Sequence, residues 1–317
     1  MIYQNAAAQP RDELTQYIME SLTRDDRFVA TKVLPPSPLK LPTGHVPKIT
    51  IAGGDLMRAA ATPRAPGALF VRSQADITDL SLTLVQYAEE LQIPDEQQMV
   101  YESYFDLEQM FALEVRRKIQ RNVETNVEGA VFNTTNFTAT NSGTAYTTGN
   151  VATLSFIVDV IQIIRRIKAT GEVPNTILIP GTVYDVIRTG TLVQAFIAGS
   201  NQPGAVVDPN TIQRAFGEMG IKNVWLADSY VNQSAAGDNS QINPIWPKTY
   251  VFVGAVSSGD LQSGGVGRTF YWEAEGPLFN VATYREEVRR SNVIRGMSTN
   301  LAAITNGRAG QLITTQA

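Results

Sequence analysis

The chain has 317 residues and a mass of 34.6 kDa, enough for one large domain or two ordinary ones. Lys plus Arg number 26 and Asp plus Glu 30, so the formal net charge is -4 and no bulk attraction for nucleic acid exists. Cysteine is absent and His45 is the only histidine, which excludes disulfides, thiolate nucleophiles, Cys-ligated zinc and multi-His metal sites.

No localisation signal opens the chain: Arg11, Asp12, Glu13 and Glu20 fall where an apolar signal core would sit. Leu14, Tyr17, Ile18 and Leu22 predict one stripe of a short helix from about Asp12 to Arg24. Four prolines follow between Pro35 and Pro42 and forbid a helix. The segment reads as an extended arm, held against its own domain or a neighbour.

Residues 46–88 read as a long excursion. Ile49-Thr50-Ile51 can start a strand, and Gly53-Gly54 interrupt it. From Ile77 to Val85, Leu80, Leu82 and Leu84 alternate with Asp79, Ser81 and Thr83, the pattern of a half-exposed antiparallel strand. It is the expected return limb of a long hairpin.

The longest helical pattern runs from about Phe105 to Val127. Ser103 and Asp106 resemble a capping box, and Gly129 is the expected stop. Ala112, Val115, Ile119, Val123 and Val127 form the buried stripe. Arg116, Arg117, Lys118 and Arg121 form a basic cluster at mid-helix, with Glu114, Glu124 and Glu128 as offsetting acids. Residues 133–150 are rich in Thr, Asn and Gly and read as loop or hairpin.

An α/β pattern begins near Leu154. A helix through Leu154, Ile157, Val158, Ile161 and Ile164 stops near Gly171. Thr176–Pro180, Asn223–Ala227 and Thr249–Val253 read as strands, with short helices at Val183–Ile187 and Thr211–Phe216. Asn232–Pro244 reads as a polar loop. Strand candidates then follow at Thr269–Ala274, Asn280–Arg289, Leu301–Ile304 and Gln311–Thr314.

Catalytic chemistry finds no support. Ser263-Gly264-Gly265-Val266-Gly267-Arg268-Thr269 mimics a phosphate loop, but a strand follows it where a helix is required. Glu89-Glu90 and Asp95-Glu96 flank Pro94 and read as a solvated acidic turn. His45 has no acidic or nucleophilic companion nearby in sequence. Arg285, Glu286, Glu287, Arg289 and Arg290 are mixed in sign, which suits a protein surface better than a phosphate backbone.

Two stretches are informative as text. One is Glu275-Gly276-Pro277-Leu278-Phe279 through Tyr284-Arg285-Glu286-Glu287-Val288-Arg289 and on to Gly310-Gln311-Leu312-Ile313. The other is the helix from Leu154 to Lys168 followed by Pro174-Asn175-Thr176-Ile177-Leu178-Ile179-Pro180. With the order of elements, they make the chain resemble the major capsid proteins of tailed bacteriophages, which have the α+β HK97 fold. The resemblance implies an N-terminal arm at 1–45, an E-loop hairpin at 46–88 and a P-domain with its spine helix at 89–150. An α/β A-domain at 151–260 and returning P-domain strands at 261–317 complete it.

The resemblance further implies a structural subunit of an icosahedral head around double-stranded DNA, with no enzymatic activity, cofactor or metal. Pentamers and hexamers of the chain, a portal protein and a separate scaffold are the implied partners, with a cement protein as an option. The implied location is the virion capsid, assembled in the host cytoplasm, without membrane contact. Arg116, Arg117, Arg121, Arg285, Glu286, Arg289 and Arg290 are the expected intersubunit contacts. DNA is expected to be enclosed without being gripped. No lysine lies between Lys48 and Lys118, so the hairpin cannot supply the lysine of the covalent cross-link known in the family's namesake. An encapsulin-like nanocompartment is the nearest rival, and an α/β hydrolase or transferase the rival outside shells.

Overall fold

The computed structural model describes residues 9–10, 28–49, 77–101, 107–198, 207–234, 241–257 and 264–315. The expected helix at Asp12–Arg24 and the Ser103/Asp106 cap lie outside them. In chain order come β1 (Gln9–Pro10), α1 (Ala30–Val33), β2 (Pro36–Leu39), β3 (Thr43–Ile49), β4 (Ile77–Thr83), β5 (Val85–Pro94) and α2 (Asp95–Tyr101). Next are α3 (Leu107–Val131), β6 (Ala139–Asn141), α4 (Phe156–Ala169), β7 (Thr176–Pro180), α5 (Gly181–Thr189), α6 (Thr191–Ala198) and α7 (Pro209–Gly217). Then come β8 (Asn223–Ala227), β9 (Tyr230–Asn232), β10 (Ile242–Pro244), β11 (Tyr250–Gly254), β12 (Gly267–Trp272), β13 (Asn280–Glu286), β14 (Ser291–Ile304) and β15 (Gly310–Thr314).

The first sheet is organised around β14, whose first half pairs with β13 on one edge and β5 on the other. Asn300–Ile304 pairs with β12, which in turn pairs in parallel with β2. Pro36 and Pro38 lack N–H donors, and β2 can tolerate that because it lies at the sheet's edge. Only the last four residues of this 14-residue strand carry a strand-like run in sequence. Likewise the acidic stretch Glu89-Glu90 is part of β5, and Asp95-Glu96 opens α2, rather than forming a solvated turn.

Helix α3 crosses this sheet. Its 25 residues span about 38 Å at 1.5 Å each. Ala112, Val115, Ile119, Val123, Val127 and Val131 are all buried along one stripe. Burying each of its Val and Ile side chains is worth roughly 1.5–3 kcal/mol. The helix runs through Gly129 rather than ending there, because Val131 packs into the core one turn beyond Val127. Gly296 of β14 lies under the helix, where a Cβ would meet Val115 and come 2.7 Å from Ile119 Cδ1.

The second sheet has the order β6-β15-β11-β7-β8. Its strands are covered on both faces, which accounts for the unbroken apolar run of β7. Ile177, Ile179, Val251, Val253 and Ile313 face the core shared with α4, α5 and α7. Leu178, Phe252 and Leu312 face the core shared with α3. The alternation places one sheet between two cores. The terminal strand β15, expected among the returning strands, pairs with β11 in this sheet instead. β6, from the expected loop, joins its other edge in parallel.

The remaining differences are local. α6 has no counterpart in the sequence reading, and the polar segment near 232–244 is clipped by the β9–β10 pair. β3 and β4 form the expected hairpin, registering Thr43 against Thr83 and Ile49 against Ile77. Val46, Leu82 and Leu84 seat its base on Phe270 and Ala303.

Candidate functional site

The basic cluster of α3 splits by helix face. Arg116 is 4% exposed and its Nη2 donates to Gln120 Oε1 at 3.2 Å. Expected at an intersubunit contact, it lies inside the subunit, because position 116 borders the buried stripe at Val115 and Ile119. Lys118 reaches β5, its Nζ 2.6 Å from Glu89 Oε1. Arg117 is exposed and Arg121 half-buried. The α3 surface therefore offers fewer cations than the sequence suggests.

Glu124, expected as an offsetting surface acid, is fully buried on α3. Its Oε1 accepts from the Val29 N–H at 3.0 Å and from the Trp246 Nε1–H at 2.6 Å. Its Oε2 accepts from the Ala30 N–H at 2.9 Å. Burial pushes the Glu124 carboxyl up, opposed by these three donors and by the charge of Lys32. One turn on, burial pushes Glu128 up to about 7. The missed signal was spacing: Arg116, Gln120 and Glu124 recur every four residues beside the apolar stripe, and all three are buried.

The mixed-charge group sits at one end of the first sheet. β13 stops at Glu286, and a 3-10 turn carries Glu287, Val288 and Arg289. The expected strand through Arg289 breaks there because Arg290 takes a left-handed conformation, φ 46°. Arg285 clamps Asp95 with two bonds, Nη1 to Oδ1 at 2.5 Å and Nη2 to Oδ2 at 2.7 Å. The guanidinium holds the Asp95 carboxyl below its usual range. Arg285 Nε also reaches Glu287 at 3.3 Å, and Arg289 Nε lies 3.6 Å from Glu286 Oε1. Arg285, Glu286 and Arg289 thus have partners within the chain.

Elsewhere the polar chemistry is structural. Asp159 accepts from the Tyr146 hydroxyl at 2.8 Å and the Ser155 hydroxyl at 2.6 Å, tying the 142–146 loop to α4. Burial and the Asp159 charge push the Tyr146 hydroxyl far up. His45 is an exposed residue of β3 opposite Ser81, not a loop residue. One cleft of about 340 Å³ is lined by Asn210, Gln213 and Arg214, another of about 450 Å³ by Lys32, Pro36 and Trp225. Neither lining contains a carboxylate, histidine or nucleophilic base pair. Among the described residues no three His, Cys, Asp or Glu converge on a metal position. No helix among them is long and apolar enough to cross a membrane.

Neither a protein-family model nor a curated protein matches the chain by sequence. Solved structures match by fold. A phage-related protein from Bordetella bronchiseptica RB50 superposes with a TM-score of 0.71 at 14% identity, covering 98% of each chain. The capsid of cyanophage P-SCSP1u gives 0.58 at 11% identity, over 89% of this chain and 86% of that one. The SrpI encapsulin complex of Synechococcus elongatus PCC 7942 gives 0.50 at 11% identity, over 90% and 86%. The chain has the α+β, HK97-like architecture broadly shared by these structures.

Proposed function

We propose that this chain is the structural subunit of a closed icosahedral shell, the major capsid protein of a tailed phage. The observation that carries the reading is the fold likeness to the cyanophage capsid over 89% of this chain and 86% of that one, beside the phage-related protein matched over 98% of both chains. In this reading α3 is the spine helix, the β3–β4 hairpin the base of the E-loop and β1 and β2 parts of the N-terminal arm. The α/β sheet with α4 to α7 is the A-domain, to which β6 and β15 also belong. Closed icosahedral symmetry then requires pentamers of the chain, with hexamers between them in any shell larger than the smallest.

The chemistry accords with a passive container. A net charge of -4 gives packaged DNA no strong hold. Arg117, exposed on α3, and Arg289 and Arg290 at the sheet end are the proposed cations for neighbouring subunits. Portal, scaffold and cement proteins are proposed as partners on the phage reading alone. A second reading, a nanocompartment shell around a cargo enzyme, is favoured by the likeness to the encapsulin.

Electron microscopy of the purified protein tests the proposal. Uniform closed shells are expected, and a stable monomer at high concentration overturns it. Particles isolated from the native host separate the two readings: enclosed duplex DNA and a unique portal vertex mean a phage head, and an enclosed enzyme means a nanocompartment.

A further inference from the structure

The turn between β14 and β15 carries the chain from the first sheet to the second. Asn306, Gly307, Arg308 and Ala309 form it, with the Ala309 N–H donating to the Asn306 carbonyl at 3.3 Å. The Thr305 and Asn306 N–H groups both donate to the Val266 carbonyl at 3.0 Å. Gly307 lies against the loop that follows α3, where a Cβ would come 2.5 Å from the Asn136 carbonyl oxygen. Only glycine fits there. Asn306-Gly307 is the one Asn–Gly pair in the chain. Such a pair is chemically labile, because no side chain shields the glycine nitrogen from the neighbouring amide. The Gly307 N–H gives its proton to hydroxide, and the nitrogen bonds to Asn306 Cγ. The Cγ–Nδ2 bond breaks, and Nδ2 leaves as ammonia with a proton from water. Water then opens the cyclic imide at either carbonyl, leaving aspartate or isoaspartate. One water is consumed and one ammonia released, with nothing oxidised or reduced.

We infer that Asn306-Gly307 is a spontaneous deamidation site and that Glu172, between α4 and β7, holds its rate down. Asn306 Nδ2 donates to Glu172 Oε1 at 2.7 Å, and Asn306 Oδ1 accepts from the Arg308 N–H at 3.1 Å. With both ends held, the amide cannot turn its face to the Gly307 nitrogen without breaking a bond. Charge acts in the same direction. Cyclisation develops negative charge on the Gly307 nitrogen and then on Oδ1, and a carboxylate beside them opposes both. The product changes the turn. Either opening sets a second carboxylate where the Asn306 amide donated to Glu172, and isoaspartate also lengthens the main chain. The joint between the two sheets therefore loosens as the protein ages.

The full chain is incubated at mildly alkaline pH, native and in urea, and digested with trypsin. The Gly296–Arg308 peptide is followed by its mass gain of about 1 Da and by methyl transfer to isoaspartate with a purified isoaspartyl methyltransferase. In urea Asn306 should deamidate faster than every other asparagine, and the native chain should be slower by about tenfold or more. Glu172→Ala should recover much of that factor in the native chain. Glu172→Gln, which keeps an acceptor and removes the charge, should fall between wild type and Glu172→Ala. Asn141-Ser142, with Ser142 buried, is the internal reference for unfolding. A rise at Asn306 with Asn141 unchanged supports the inference. Equal native and unfolded rates at Asn306, no acceleration in Glu172→Ala, or a parallel rise at Asn141 overturns it.

Discussion

The indole N–H of Trp246 donates to the carboxylate of Glu124 across 122 residues of sequence, at 2.6 Å in the core. The same carboxylate receives two successive main-chain N–H groups, Val29 and Ala30, from the start of α1. One buried side chain thus joins the N-terminal segment, the long helix and the chain entering β11.

Replacing Glu124 with Leu removes three bonds at once. It strands the donors of Val29, Ala30 and Trp246 in the core. A buried unsatisfied donor costs about 1–3 kcal/mol, so a loss of about 3 kcal/mol or more is expected in urea unfolding. Trp246→Phe, which removes one donor to the carboxylate and leaves a small cavity in the core, should cost about 2 kcal/mol. Faster amide exchange at Val29 and Ala30 in the Leu variant would identify the detached segment.

Glu128 gives the fold a pH dependence of known sign. Burial raises its carboxyl to about 7 from an ordinary 4.5. The folded state therefore binds the proton more tightly than the unfolded one. Its stability contribution is complete below the ordinary value and is lost as pH rises through about 7. Glu128→Gln should raise the thermal midpoint at pH 8 and leave it unchanged near pH 4. Because the side chain is only partly buried, the gain is about 1 kcal/mol after allowance for solvent screening. An equal shift at both pH values would contradict this origin.

Gly296 marks the closest approach of α3 to the first sheet. A methyl group there would overlap Val115 and press on Ile119. Gly296→Ala should destabilise the subunit by about 1–3 kcal/mol through overpacking. Combined with Val115→Ala, which vacates the overlapped space, it should cost less than the sum of the two single losses. Strict additivity in a double-mutant cycle would refute the contact.

The Asp95–Arg285 clamp holds α2 against the turn after β13. Asp95→Asn should loosen both segments, seen as faster amide exchange at residues 95–101 and 287–290. Arg285→Lys should loosen them too, since an ammonium cannot reproduce the paired bonds of the guanidinium. The lowered Asp95 carboxyl makes the sign testable too. Its contribution is present above the ordinary value of 3.8 and is lost as pH falls through the lowered one. Protection of α2 should therefore fade only in strong acid.

Much of this molecule is legible from residue order. The stripe from Ala112 to Val127 set the buried face of α3, since 3.6-residue spacing aligns those side chains. Alternation at Leu80, Leu82 and Leu84 placed the hairpin's return limb, and the apolar run at Thr176–Pro180 placed a covered strand. Periodicity states which face is buried and not what buries it. Only the tertiary structure decided that β15 pairs with β11, because Gln311–Thr314 suits either sheet equally. Most of β14 stayed hidden because its burial comes from α3 and β5, not from a simple alternation of its own residues. Glu124 and Arg116 are charged residues that local pattern assigns to the surface. Their burial depends on donors and acceptors brought from far along the chain, or one turn along the helix, and that pairing exists only once the layers have closed.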